Sequence, residues 1–279
     1  MSDPADATAA EGPRRSGYLG WLHSPRLDPG LSLALATVLL LTAEIVADKK
    51  LVSPLILPPP SAVFAQLWEG LLSGFYLAHL LSTTGSLLAG FLLAAAISIA
   101  AAGLLASMPR LENVLTPFIV AFQSMPKVAI APLVVIWLGF GESAKITIVV
   151  TVCFFPIMVN TLQGLKIRDR TQYELFRALG ANSWQLFYHL RLPGAVPFIF
   201  AGLHIGAIFA LIGAVVAEFV GSDSGIGYAM LQAKASFDVA GVYVCLVLLM
   251  ALGTALNFGM SALERRVSFW VPDVSRLTT

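Results

Sequence analysis

Tyr173–Pro193, YELFRALGANSWQLFYHLRLP, decides how the rest of the chain is read. It is a polar, basic, helix-forming stretch set between long apolar segments. It is too charged to span a bilayer and too well supplied with capping residues to be slack linker. Thr171 and Glu174 stand at capping-box spacing, which predicts a helix from Thr171 to Leu179. Gly180 suits the left-handed position that ends such a helix. Asn182 and Gln185 repeat the spacing and predict a second short helix through Leu190, closed by Pro193 before the next apolar run. The expected product is helix, glycine turn, helix, with Leu175, Phe176, Leu179, Trp184, Phe187 and Tyr188 as apolar contact material. That is the form of a docking surface.

Composition sets the hairpin in lipid. The chain has 279 residues, 57% hydrophobic and 12% charged, with mean hydropathy +0.82. A soluble domain carries roughly a quarter charged residues, so this is an integral membrane protein. Net charge is +1 and the basic residues are not gathered on one patch, which excludes a nucleic-acid partner. Cys153 and Cys245 fall inside apolar segments away from any Cys/His cluster, as small buried hydrophobes do.

A bilayer core needs about 20 apolar residues as helix. Six stretches meet this: Pro29–Ala47, Leu80–Ala106, Asn113–Leu138, Ile146–Leu165, Gly194–Ala217 and Val239–Leu263. The expected fold is all-α and polytopic. With the N-terminus inside, the inner segments hold twelve Lys/Arg and the outer ones only Lys49, Lys50, Lys145 and Lys234. This bias predicts that both termini and the hairpin are cytoplasmic. Residues 1–28 read as a disordered cytoplasmic tail, 29–265 as the membrane domain and 266–279 as a second cytoplasmic tail. The Arg14-Arg15 pair does not make an export signal, because its apolar run starts too far downstream and lacks a small-residue cleavage site. Between the first two spans, Pro58-Pro59-Pro60 forces extended chain, and Ser61 is a candidate N-cap for an amphipathic helix over Ala62–Ser73 on the outer interface. Val63, Phe64, Leu67 and Leu71 form its apolar stripe.

The run Glu174, Gly180, Leu190, Leu192, Pro193 resembles the EAA loop of binding-protein-dependent ABC importer permeases. The segments LPPPSAV (57–63), MPKVAIAPLVVIWLGFGESAK (125–145) and AEFVGSDSGIGY (217–228) are similar to the branch that handles sulfonates, taurine, nitrate and vitamin precursors. Leu175 and Phe176 stand where that loop has two alanines. The resemblance spans about residues 55–265. It implies a MetI-like permease fold in a bacterial inner membrane, with lipid around it. It implies a homodimer, an external substrate-binding protein and cytoplasmic ATPase subunits that bind ATP and Mg, leaving this chain without a cofactor or metal. It assigns ATPase coupling to Tyr173, Glu174, Leu175, Phe176, Arg177, Ala178, Leu179, Gly180 and Ala181. Glu174 is equally explained as a cap of its own helix.

No nucleotide-binding loop, H-E-x-x-H motif or nucleophile–base pair is present, so no catalysis is expected of this chain. Candidates for the translocation path are few. Lys127 sits near the middle of the third span, which Pro117, Pro126 and Pro132 interrupt. With Gln123 and Ser124 it is the candidate lining for an anionic solute, against snorkelling or a structural ion pair. His204 is a further candidate, against an interhelical hydrogen bond. Glu218 reads as facing an outer vestibule or solvent, and Glu44 as interfacial near Lys49 and Lys50. Asn160, Gln163 and Asn257 read as interhelical bonds. The stripe Gly202, Gly206, Ala210, Ala214 suits either a seam between two copies or packing within one. The rival class is an ion-coupled secondary transporter, which calls for internal repeats or acids at mid-bilayer. A scaffold without transport leaves the interrupted span without a purpose.

Overall fold

The computed structural model describes residues 29–53, 55–166 and 170–268. Residues 1–28, Arg168 and all but the start of the 266–279 tail lie outside the described residues. The elements are α1 (Pro29–Asp48), α2 (Pro60–Leu72), α3 (Phe75–Ser107), α4 (Pro109–Ser124), a 3-10 turn (Lys127–Ile130), α5 (Ala131–Leu138), α6 (Glu142–Lys166), α7 (Arg170–Ala178), α8 (Ser183–Leu186), a π-helical turn (Phe187–Arg191), α9 (Leu192–Gly221), α10 (Ile226–Ala235) and α11 (Val239–Val267). Among the described residues five helices are long and apolar enough to cross a membrane, and the α4–α5 pair, bent by 84°, makes a sixth if it counts as one span. The all-helical expectation holds, with five or six spans.

Proline chemistry explains the bend. Met125 precedes Pro126, whose ring disfavours helical geometry in the residue before it, and Met125 is extended at φ −71°, ψ 134°. The chain resumes as a 3-10 turn and then as α5, with Pro132 in its first turn. Gly139 (φ +77°) and Gly141 (φ +128°) then turn the backbone into α6 through left-handed conformations that side chains disfavour.

At the centre, α6 packs along both α3 and α9. Leu87 and Phe91 from α3, Val149, Cys153 and Ile157 from α6, and Phe200, Ala207, Ala210 and Ala214 from α9 form the buried core. The small-residue stripe serves this packing within one chain. A Cβ on Gly202 would lie 3.2 Å from the Ile157 backbone, and one on Gly206 would lie 2.8 Å from the Ile157 side chain. The stripe is therefore not a seam between copies.

Two further expectations are corrected where α1 meets α2. Ser61 does not cap α2. The helix starts at Pro60, where a missing N–H costs nothing, and Ser61 donates its N–H (3.0 Å) and its hydroxyl (2.6 Å) to Glu44. Glu44 thus neutralises the N-terminus of α2, and α1, otherwise exposed along most of its length, is tied to the bundle at that end. Of the α2 stripe, Val63 and Leu67 meet a core of Tyr76, Ile226, Ala229, Val244, Cys245 and Leu248, while Phe64 and Leu71 stay exposed.

Candidate functional site

Local rules build the turn of the hairpin closely, although α7 begins at Arg170, so Thr171 lies within the helix it was expected to cap. α7 ends in a Schellman motif: Gly180 has φ +78°, its N–H bonds the Arg177 carbonyl at 3.0 Å, and the Ala181 N–H reaches back to Phe176 at 3.0 Å. α8 opens with a reciprocal capping box, Gln185 N–H to Asn182 at 2.8 Å and Asn182 N–H to the Gln185 side chain at 2.9 Å. The turn between them is fixed at both ends.

The second arm differs from expectation. Pro193 does not close it: the chain runs from Ser183 to Gly221 as one helical path of 39 residues. A π-helical turn over Phe187–Arg191 takes up the strain, with the Leu192 N–H bonding Phe187 five residues back. Widening the register there lets the ring of Pro193 pass the carbonyls of the preceding turn. The second arm of the hairpin is therefore continuous with α9. At about 1.5 Å per residue this path is roughly 60 Å long, twice the hydrocarbon core.

The nine candidate coupling residues divide by exposure. Tyr173, Phe176 and Ala181 are half-buried toward the bundle, while Glu174, Leu175, Arg177, Ala178, Leu179 and Gly180 are exposed. Leu179 is 77% exposed, beyond anything its own fold requires. Leu186 is buried beneath the hairpin, and Trp184 stacks on Phe187 at 6.2 Å and lies 5.7 Å from Tyr188. At the same end, Lys166 of α6 pairs with buried Glu112 in the first turn of α4, each charge opposing its helix dipole.

The structure does not gather the path candidates into one place. Gln123 and Ser124 are exposed at the end of α4, and half-buried Lys127 lies just past the break. The Lys127 ammonium sits 5.8 Å over the Phe155 ring and 3.4 Å from the Gln123 carbonyl, without an acidic partner among the described residues. His204 meets Glu264 of α11 at 3.0 Å, an interhelical contact. Asn160 bonds its own helix at Pro156.

The reading of Glu218 as facing an outer vestibule or solvent is corrected: the residue is 1% exposed. It accepts from Thr83 Oγ1 of α3 (2.7 Å) and from the Gly227 N–H of α10 (2.7 Å). Thr83 Oγ1 in turn accepts the Ile226 N–H at 2.8 Å, and His79 Nδ1 accepts the Gly225 N–H at 3.0 Å. Lys145, placed by charge counting in an outer loop, is equally buried. It pairs with Glu142 and donates to Ser82 at 3.0 Å, and Ser82 meets Ser224 at 3.0 Å. Unpaired charges in this setting would cost several kcal/mol, and the network answers each of them. Sequence reasoning missed Thr83, His79 and Lys145; the one available signal was the glycine-rich GSDSGIG run, which leaves helical N–H groups in need of external acceptors.

The family described as binding-protein-dependent transport system inner membrane component matches residues 86–269. The formylaminopyrimidine transport permease protein of Halalkalibacterium halodurans is 33% identical over 219 residues, covering 78% of this chain and 86% of that protein. The riboflavin transport system permease protein of Chloroflexus aurantiacus is 34% identical, covering 77% and 80%. The taurine transport system permease protein of Escherichia coli is 30% identical, covering 91% and 97%. Among solved structures, the inward-facing MetNI methionine ABC transporter aligns with TM-score 0.55 at 21% identity, over 75% of this chain and 98% of that one, a likeness of fold.

Proposed function

The chain belongs to the binding-protein-dependent transport system inner membrane components, and from that premise we propose that its 173–193 hairpin is the handle by which an ATPase drives solute import. The chain is the membrane-spanning permease subunit of an ABC importer rather than an enzyme, and ATP hydrolysis belongs to a separate subunit. One observation carries the hairpin assignment. A doubly capped turn, with Leu175, Leu179, Glu174 and Arg177 exposed on one arm, sits at the end of an unbroken 39-residue helical path. A capped turn does not fray, so a push on it becomes a displacement of α9.

The energetics require such a handle. Reversing a two-state transporter from 1:99 to 99:1 takes about 5.5 kcal/mol of differential binding. ATP-driven closure of the partner around the hairpin supplies it, with ATP and Mg held there. Tyr173–Ala181 form the contact, the apolar residues giving area and Glu174 and Arg177 giving orientation. The inner location of the hairpin and both termini follows the Lys/Arg bias. Two copies enclose one path, and an external binding protein delivers the solute.

The cargo is a small polar or anionic organic solute of the sulfonate, taurine, nitrate or vitamin-precursor kind. Lys127 at the α4–α5 break, beside Gln123 and Ser124, supports an anion, and the relatives named for taurine and formylaminopyrimidine transport fall in this range. Affinity purification of the permease tests the hairpin: Gly180→Val and Asn182→Ala reduce the ATPase recovered while leaving permease yield intact. Undiminished ATPase recovery rejects the assignment. A thermal-shift screen of the partner binding protein tests the cargo, and flat curves with all of these solutes reject the range.

A further inference from the structure

α10 has no charged or polar N-cap of its own. Its N-cap is Gly225 at φ +112°, without a side-chain cap bond. The N–H groups of three consecutive residues, Gly225, Ile226 and Gly227, are instead taken up by His79 and Thr83 of α3 and by Glu218 of α9. The fit is close: a Cβ on Gly225 would collide with the Glu218 carboxylate, and one on Gly227 would lie 3.0 Å from it. Glu218 also lies near the outer end of the helical path that begins at Ser183 in the hairpin.

We propose that Glu218 and Thr83 are positioning residues that lock α10 to the outer end of α9, so that one lever joins the cytoplasmic hairpin to the external face. This rests on the hairpin being gripped by the ATPase. The lever has the parts a mechanical link needs. Its shaft is one helix without a break between residues 183 and 221. Its outer joint is buried, with each acceptor matched to a named donor. The load is α10, which with its C-cap Ser236 places Gln232 and Ser236 on one wall of an open groove of about 500 Å³. Gln66, Glu69 and Ser73 of α2 and its C-cap line the other wall. Movement of the hairpin thereby reshapes a polar groove on the side from which solute arrives.

The test uses the intact permease–ATPase complex with single thiols as reporters. Cys153 and Cys245 are buried and stay silent toward a charged maleimide, while Lys234 at the end of α10 and Tyr188 on the hairpin are exposed. In Lys234→Cys, labelling with ATP and vanadate differs from the nucleotide-free rate by about fivefold or more, within the usual range of coupling between sites. Thr83→Val abolishes this difference and Thr83→Ser, which keeps the hydroxyl, preserves it. Tyr188→Cys responds to nucleotide in both backgrounds. A nucleotide effect at Lys234 that survives Thr83→Val overturns the proposal, as does a Lys234 rate blind to nucleotide while Tyr188 responds. If Tyr188 is also blind, the hairpin assignment itself falls and the lever with it. Should Thr83→Val fail to assemble, Glu218→Met, which removes the two oxygens that accept from Thr83 and Gly227, is scored by the same outcomes.

Discussion

Replacing Gly164 with alanine tests the packing that carries the hairpin. Gly164 lies in the last turn of α6, where α9 crosses it. An added Cβ would sit 2.5 Å from Phe198 Cβ, 3.0 Å from Phe198 Cγ and 3.2 Å from Ala195 Cα. Carbon atoms rest comfortably at about 3.5–4.0 Å, and Phe198 Cβ is fixed to its backbone, so no rotamer relieves the clash. The two helices must separate locally by about 1 Å to restore that spacing. Overpacking of this kind costs about 1–3 kcal/mol, while alanine in place of glycine in a helix returns about 0.5–1 kcal/mol. The expected net effect lies between no change and a loss of about 2.5 kcal/mol, the difference of those terms, against a gain in the control below. Gly85→Ala is the internal control, because nothing lies within 4 Å of its added Cβ; it keeps only the helix-propensity gain. Unfolding titrations in mixed micelles, run on both variants and the parent, measure the ranking. A Gly164→Ala protein as stable as Gly85→Ala would refute the close α6–α9 approach.

Three further outcomes follow from other contacts. Asn182→Ala removes half of the capping box and costs about 1 kcal/mol locally, read as faster hydrogen exchange over residues 182–188 with unchanged exchange in α6; equal rates in parent and variant would reject the box. Glu44→Ala frees α1 from Ser61, so a protease site introduced after residue 51 is cut faster while the α3–α6–α9 core keeps its protection; unaltered cleavage means that α1 is held elsewhere. A double-mutant cycle between His204 and Glu264 gives a coupling of about 0.6 kcal/mol and at most about 1.7 kcal/mol, and a value near zero means that the 3.0 Å contact contributes nothing.

What was legible in the sequence follows from how far each partner lies along the chain. The hairpin is local: Gly180 and the Asn182–Gln185 box act within a few residues, and both are readable from the sequence. The spans were readable because lipid demands long apolar helices. The bend was readable because the residue before a proline resists helical geometry. The continuity of the second arm was not, since Pro193 signals an ending and the π-helical turn that carries the chain past it has no residue signature. Glu218 and Lys145 were misplaced because hydropathy prices every charge as if it were alone. Their partners stand far away in sequence, Thr83 at 135 residues from Glu218 and Ser82 at 63 from Lys145, and only the packed bundle shows that the charges are answered. Whether the glycine stripe faced a second copy was likewise undecidable until Ile157 was seen against it.

Thiol labelling at Leu179→Cys tests the central claim most directly, because that residue is exposed at the tip of the hairpin. The account predicts labelling by a membrane-impermeant maleimide in everted vesicles but not in intact cells, and protection in vesicles once the ATPase subunit is co-expressed. Labelling from outside intact cells, or an unchanged rate with the ATPase present, contradicts it.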